Sequence, residues 1–329
     1  MTDRKADAIR SFGNVVAWAA FLAFDLIVLG ALVRATDSGL ACPDWPLCYN
    51  QLTPVMDMQI FLEWFHRLSA LILGGVLVIA LVKIFRNSFI RKTFGLQLLC
   101  VGALFLIQCI LGGLTVLKLL DPKMVSLHLI NALVFFALLL WVAIKAWLIS
   151  SGASIKLKAS KKVKVSFAIF SLLLFVQIFV GGMVSSNYAG LVCPDFPKCY
   201  DQWIPVNGSF LIYLQVFHRF FAYFIMIYAI FVNILILRGP TSRFFSVVVR
   251  LLPTLVLLQI LLGVINIFYS LPVWASVAHL ANALALFTVV LSATILMFAA
   301  KSYKGLDQFS AEGEPFSNVT PIKPAVPSR

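Results

Sequence analysis

Apolar residues run along this chain in eight stretches, near 13–33, 60–82, 93–117, 124–149, 164–184, 210–237, 245–268 and 273–300, with short polar segments between them. A bilayer core of roughly 30 Å takes about 20 residues at a helical rise of 1.5 Å, and backbone inside lipid must satisfy its own hydrogen bonds, so each stretch predicts a membrane-spanning helix. The pattern therefore predicts an all-α polytopic membrane protein. The opening Met1-Thr2-Asp3-Arg4-Lys5 fits neither a transit peptide nor a cleaved signal, because it carries acid and leads into a full-length span. Composition agrees: 61% of residues are apolar, only 12% are charged, and mean hydropathy is +0.99, against an apolar share of about 45–50% in soluble domains.

The formal charge of +13 changes the picture less than its placement does. Arg4, Lys5, Arg10, Lys83, Arg86, Arg91, Lys92, Lys145, the lysines of 156–164, Arg238, Arg243, Arg250 and the tail lysines share one side of an eight-span chain. Only Arg34, Lys118, Lys123 and Lys198 fall in loops on the other, with Arg67 and Arg219 just inside helices. Positive loops stay cytoplasmic, so both termini are expected there, and the basic excess reports topology rather than nucleic-acid binding.

The second half of the chain repeats the first. Cys42 and Cys193, Cys48 and Cys199, Gln108 and Gln259, Gly112 and Gly263, His128 and His279, and Asn131 and Asn282 each lie 151 residues apart, and His66 and His218 lie 152 apart. Four spans per copy give both copies one orientation, hence two four-helix bundles related by a pseudo-two-fold axis along the membrane normal. The expected organisation is an N-terminal half over 1–150, a cytoplasmic linker over 151–163, a C-terminal half over 164–302 and a disordered cytoplasmic tail over 303–329.

Each outer loop carries a Cys-x5-Cys pair, Cys42 with Cys48 and Cys193 with Cys199, in an oxidising compartment where thiols pair, so two intraloop disulfides are expected. The spacing is long for zinc, and no loop histidine completes such a site. The disulfides would either staple a Pro-rich lid over the bundle or take part in redox exchange.

The chain has four histidines, and they form two matched pairs. Spans two and four of each half run inward from the outer surface as parallel neighbours, which places His66 with His128, and His218 with His279, at a depth of roughly 6–9 Å. Two imidazoles at one height suit axial ligation of an iron porphyrin on both faces, and bundle cores are a usual place for such a site. The alternative, four hydrogen-bonding core histidines, leaves the pairing of intramembrane ionisable residues unexplained. Arg67, Arg219 and Arg34 stand at the same rim, where they would meet haem propionates or snorkel to headgroups. Asn131, Asn282, Gln108 and Gln259 are expected to make interhelical hydrogen bonds.

Glu63 separates the halves. It sits one turn before His66, and Gln215 replaces it in the copy, so only the first half has a titratable group able to move a proton or stabilise a developing cation. Its alternative role is an i,i+4 pair with Arg67. Asp25, within span one, suggests a proton relay.

Taken together, Arg34 with Thr36-x-Ser38-Gly39-Leu40, Cys42-Pro43-Asp44-Trp45-Pro46-Leu47-Cys48, Glu63-x-x-His66-Arg67, His128-x-x-Asn131 and the degenerate second copy resemble the haem A synthase family over nearly all eight spans. That resemblance implies an oxidoreductase of the bacterial cytoplasmic membrane that oxidises a porphyrin-ring methyl of haem O to a formyl group, giving haem A for terminal oxidases. It implies haem O, with its iron, between His66 and His128 near the outer leaflet, haem b iron between His218 and His279, and a catalytic Glu63. Arg34 and Arg67 would contact the substrate haem and Arg219 a propionate. An unidentified electron acceptor and the farnesyltransferase that makes haem O are the implied partners, besides the bilayer. Asp37 stands where the family often has Gly. The rival readings are a di-haem b electron carrier and a quinone-linked disulfide oxidoreductase.

Overall fold

A computed structural model describes residues 3–152, 160–237 and 243–302; the expected tail over 303–329 and the centre of the expected linker lie outside them. Eight helices follow in order: α1 (Asp3–Ala35), α2 (Met58–Arg86), α3 (Ser88–Leu117), α4 (Pro122–Ser151), α5 (Lys161–Ser186), α6 (Phe210–Leu237), α7 (Arg243–Phe268) and α8 (Val273–Ser302). All eight contain segments long and apolar enough to cross a membrane, and no strand occurs among the described residues. Several helices outrun their apolar stretch, α1 by ten residues at its amino end and α5 by three.

Local chemistry fixes the ends. Asp57 caps α2 by accepting from the Ile60 N–H at 2.8 Å, and Asn87 both ends α2 and caps α3. Asp121 caps α4 ahead of Pro122, whose missing N–H costs nothing at a first-turn position, and Gly152 closes the helix at φ +60°, where a Cβ is disfavoured.

Within each half, consecutive helices pack and the first closes on the fourth: α1–α2–α3–α4 and α5–α6–α7–α8 are two rings of four. Among the described residues α2 does not pack on α4, nor α6 on α8. The histidine-bearing helices are therefore diagonal across each ring, not the parallel neighbours expected, and that arrangement leaves room between them. The halves join through α1 with α8, and α4 with α5 and α8. One apolar core runs through both, with Phe12, Phe94, Phe136, Phe167 and Phe170 fully buried. Many large apolar side chains face outward, as lipid permits.

Candidate haem-binding sites

The four histidines sit at matched heights. His66 and His218 are eight residues into α2 and α6, and His128 and His279 are six residues into α4 and α8, about 12 and 9 Å from the helix starts. Each ring rests on a glycine of the preceding helix. A Cβ placed on Gly30, Gly112, Gly181 or Gly263 would stand 3.5, 3.2, 3.0 or 3.2 Å from Cε1 of His66, His128, His218 or His279. Gly30 and Gly181 share the 151-residue offset of the other matched pairs. Sequence reasoning missed this role, although the repeated glycines were its signal.

The ring centroids of His218 and His279 are 6.4 Å apart. An imidazole nitrogen bonds a first-row metal at about 2.0–2.1 Å, and its ring centre lies about 1.1 Å behind, so two imidazoles on opposite sides of one ion have centroids about 6.3 Å apart. The second-half pair has that separation. In all four histidines Nδ1 is buried without a hydrogen-bond partner. No group of three or more His, Cys, Asp or Glu able to hold a metal occurs among the described residues. A metal taken by either pair must bring its other ligands with it, as an iron porphyrin does.

Behind the histidines lies a repeated amide network. Asn131 Nδ2 donates to Gln108 Oε1 at 2.7 Å and to the Leu104 carbonyl at 3.0 Å; Asn282 does the same to Gln259 at 2.8 Å and Leu255 at 3.1 Å. With its oxygen so engaged, Gln108 turns its Nε2 to His128 Nε2 at 3.3 Å. An amide nitrogen only donates, so His128 Nε2 carries the lone pair and Nδ1 the proton, the tautomer that suits metal ligation through Nε2.

The two cysteine-bearing loops pack on the helices that carry His66 and His218. Both disulfides are formed, Cys42–Cys48 and Cys193–Cys199, and all four cysteines are buried. Burial favours the stapling role, because exchange needs an accessible sulfur. Asp44 accepts from the Tyr49 and Asn50 N–H groups at 2.6 and 2.7 Å, and Asp195 from those of Tyr200 and Asp201 at 2.8 and 2.9 Å. The Asn50 and Tyr49 donors hold the Asp44 carboxyl below its usual range, and Asp201 and Tyr200 do so for Asp195. Asp37 has φ +52° and its counterpart Tyr188 φ +54°, a left-handed turn that glycine enters most easily.

The three arginines are turned onto the protein. Arg67 donates to the carbonyls of Cys42, Asp44 and Leu47, and Arg219 to those of Cys193, Asp195 and Lys198. The loop folds back over the helix, so its carbonyls reach the guanidinium first. Arg219 keeps a buried, unpartnered Nε, and the Tyr223 hydroxyl is also buried and unpartnered. Arg34 crosses to the other half, where it donates to Tyr188 Oη at 3.0 Å and the Ser185 carbonyl at 3.1 Å and lies over the Tyr188 ring.

Glu63 is buried. Its Oε1 pairs with Arg67 at 2.5 Å and its Oε2 accepts from the Cys42 N–H at 2.8 Å. The i,i+4 pair read as the alternative is thus present, and it ties the disulfide loop to the turn that carries His66. In the second half Gln215 instead donates to the Gly190 carbonyl at 3.2 Å, leaving its Oε1 buried and unpartnered. Asp25 is exposed on α1.

Several similar proteins share a name. The chain is 28% identical to a heme A synthase of Methylobacterium radiotolerans over 87% of its own length and 89% of the relative's. It is 28% identical to one of Shewanella oneidensis, covering 77% and 87%, and 26% identical to one of Flavobacterium psychrophilum, covering 82% and 94%. Residues 14–291 match the family described as cytochrome oxidase assembly protein (COX15-CtaA), to which this multi-pass membrane chain therefore belongs.

Proposed function

We propose that this chain is a haem A synthase, oxidising a porphyrin-ring methyl of haem O to a formyl group. The observation that carries the reading is the matched pair of imidazoles on diagonal helices, one pair at the centroid separation two ligands of one iron require. Haem O is the substrate of the first half, over 1–150, between His66 and His128. Haem b belongs to the second, over 164–302, between His218 and His279. When bound, haem b supplies one-electron transfer. The electrons withdrawn from the methyl leave to an acceptor not yet identified, and haem O arrives from the farnesyltransferase that makes it.

The chain's own residues divide the work. The glycine and amide contacts fix each imidazole, and Gln108 yields its contact with His128 when a metal takes Nε2. The stapled loops, clamped by Arg67 and Arg219, exclude water from the rim. Arg219 Nε is the donor left for a propionate, with the Tyr223 hydroxyl beside it; Arg67 and Arg34 act on the substrate through the loop and the junction they hold. Glu63 is the catalytic candidate: its carboxylate, held by Arg67 and the Cys42 N–H one turn from His66, would stabilise the positive charge that develops as the methyl is oxidised. The halves are related by an axis along the membrane normal. Both termini and the 151–163 linker face the cytoplasm, and the sites face the outer leaflet of the bacterial cytoplasmic membrane.

Glu63→Gln tests this reading, because glutamine keeps the size of the side chain while losing the charge, and the second copy closes its loop with a glutamine, Gln215, at the same place. Reconstituted with haem O, the variant is expected to bind haem normally and lose conversion by at least about 100-fold, the scale of a lost electrostatic stabiliser. Full conversion by Glu63→Gln removes the catalytic role, and haem-free protein from haem-replete cells removes the whole reading.

A further inference from the structure

Far from the histidines, a crevice of about 590 Å³ opens between α1, α4 and α8. Arg10, Asn14 and Ser150 line one end and Phe24 and Phe136 the other, with Ala17, Ala20, Leu140 and Ala143 between. From Arg10 to Phe24 is fourteen residues of α1, about 21 Å. Half of a bilayer of about 40–45 Å, headgroups included, is the same depth. The crevice thus spans one leaflet, polar where headgroups lie and apolar toward the midplane.

Its deep end is shut. Phe24 and Phe136 meet edge to face at 6.2 Å, and His128 lies eight residues further along α4. The space is therefore not a channel for the tail of a molecule held between the histidines.

The repeat shows that the crevice belongs to one half. At the positions matching Ser292 and Leu296 of its α8 wall, α4 carries Trp141 and Lys145, and Lys145 sits over the Trp141 and Phe94 rings at 5.1 and 5.2 Å. Ala20 and Ala143 correspond to Ser171 and Thr294, which hydrogen-bond each other across α5 and α8 at 3.0 Å. Bulk and a polar bridge occupy the second copy where small side chains open the first.

The mouth is basic. Arg4 and Lys5 share the first turns of α1 with Arg10, and Lys83 near the end of α2 reaches Ser11 at 2.8 Å, which brings Arg86 to the same rim. The ion pair of Arg10 with Asp7 is long, at 3.9 Å, and exposed, so the guanidinium is available to a stronger anion. We propose that the α1–α4–α8 crevice binds one phospholipid of net negative charge, an acyl chain lying along Ala17 and Ala20 and the phosphate on Arg10. A cationic rim favours such a lipid over a zwitterionic one, whose ammonium offsets its phosphate.

The test uses the purified, delipidated full chain in mild detergent and follows its Tm with added phosphatidylglycerol, phosphatidylcholine or decylubiquinone. Phosphatidylglycerol at hundred-fold excess over its Kd is expected to raise Tm by roughly 5 °C, and phosphatidylcholine by clearly less. Ser292→Trp, which places the bulk of Trp141 in the crevice, abolishes the shift, and Ala17→Leu does so if the tryptophan variant fails to fold. Arg10→Gln narrows the difference between the two phospholipids, and an unchanged difference overturns the placement of the phosphate on Arg10. An undiminished phosphatidylglycerol shift in the filled variants, equal shifts by both phospholipids in the wild type, or a shift by decylubiquinone alone overturns the proposal.

Discussion

Gly30 and Gly181 occupy matched positions, and alanine at each is expected to give opposite results. At Gly30 the new Cβ would lie 3.5 Å from His66 Cε1, an ordinary contact. At Gly181 it would lie 3.0 Å from His218 Cε1, with Nδ1 at 3.7 Å and Nε2 at 3.8 Å, against an ordinary contact floor of 3.4 Å. His218 must therefore retreat by about 0.4 Å, twice the tolerance of about 0.2 Å on a metal–ligand distance. Overpacking of this kind costs typically about 1–3 kcal/mol, which corresponds to roughly five- to 150-fold in affinity if the strain falls on the bound state. The ring is one of the pair whose centroids stand 6.4 Å apart, so the movement acts directly on the span open to the iron. Haem titration of the purified variants at the Soret band, with low-spin signals read by electron paramagnetic resonance, measures the outcome. Gly181→Ala should lose the low-spin second-half signal while remaining folded, and Gly30→Ala should match the wild type. Equal haem content and equal spectra in the two variants would refute the idea that glycine contacts set the imidazole positions.

Replacing Arg219 with Met removes the donors to three backbone carbonyls; with charged hydrogen bonds worth about 1.5–3 kcal/mol each, a fall in Tm and faster proteolysis within 193–209 are expected, and unchanged protection would show that the loop holds itself. The pH response of the loops follows from Asp44 and Asp195, whose carboxyls the Asn50 and Asp201 N–H groups hold low. Their stabilising effect is complete above the unfolded carboxyl value of about 3.9 and is lost as pH falls through the lower folded value. Loop protection measured between pH 7 and pH 2 should fall in that acid range in the wild type, and the Asp44→Asn, Asp195→Asn double variant should lose that dependence.

The network around Glu63 explains why its two sequence readings converge. An acid placed four residues before an arginine on a helix predicts their pair, and that pair is present. What the local spacing could not contain is the third partner, the Cys42 N–H, twenty-one residues away. For Arg34 the same limit works harder: its partners, Tyr188 and Ser185, lie 154 and 151 residues along the chain.

Hydropathy determined the eight spans, because a bilayer imposes length and apolarity on each helix separately. The 151-residue repeat indicated which residues correspond, and the exchange of Glu63 for Gln215 marked one place where the halves differ in chemistry; these are properties of the string of residues. Packing alone decided that α2 and α4 stand diagonally, that four glycines seat four imidazoles, that the arginines turn inward to loop carbonyls, and that one copy opens a crevice where the other is filled. These depend on how closely two helices approach and which acceptor a side chain meets first, distances that arise only when segments far apart in the chain are brought together.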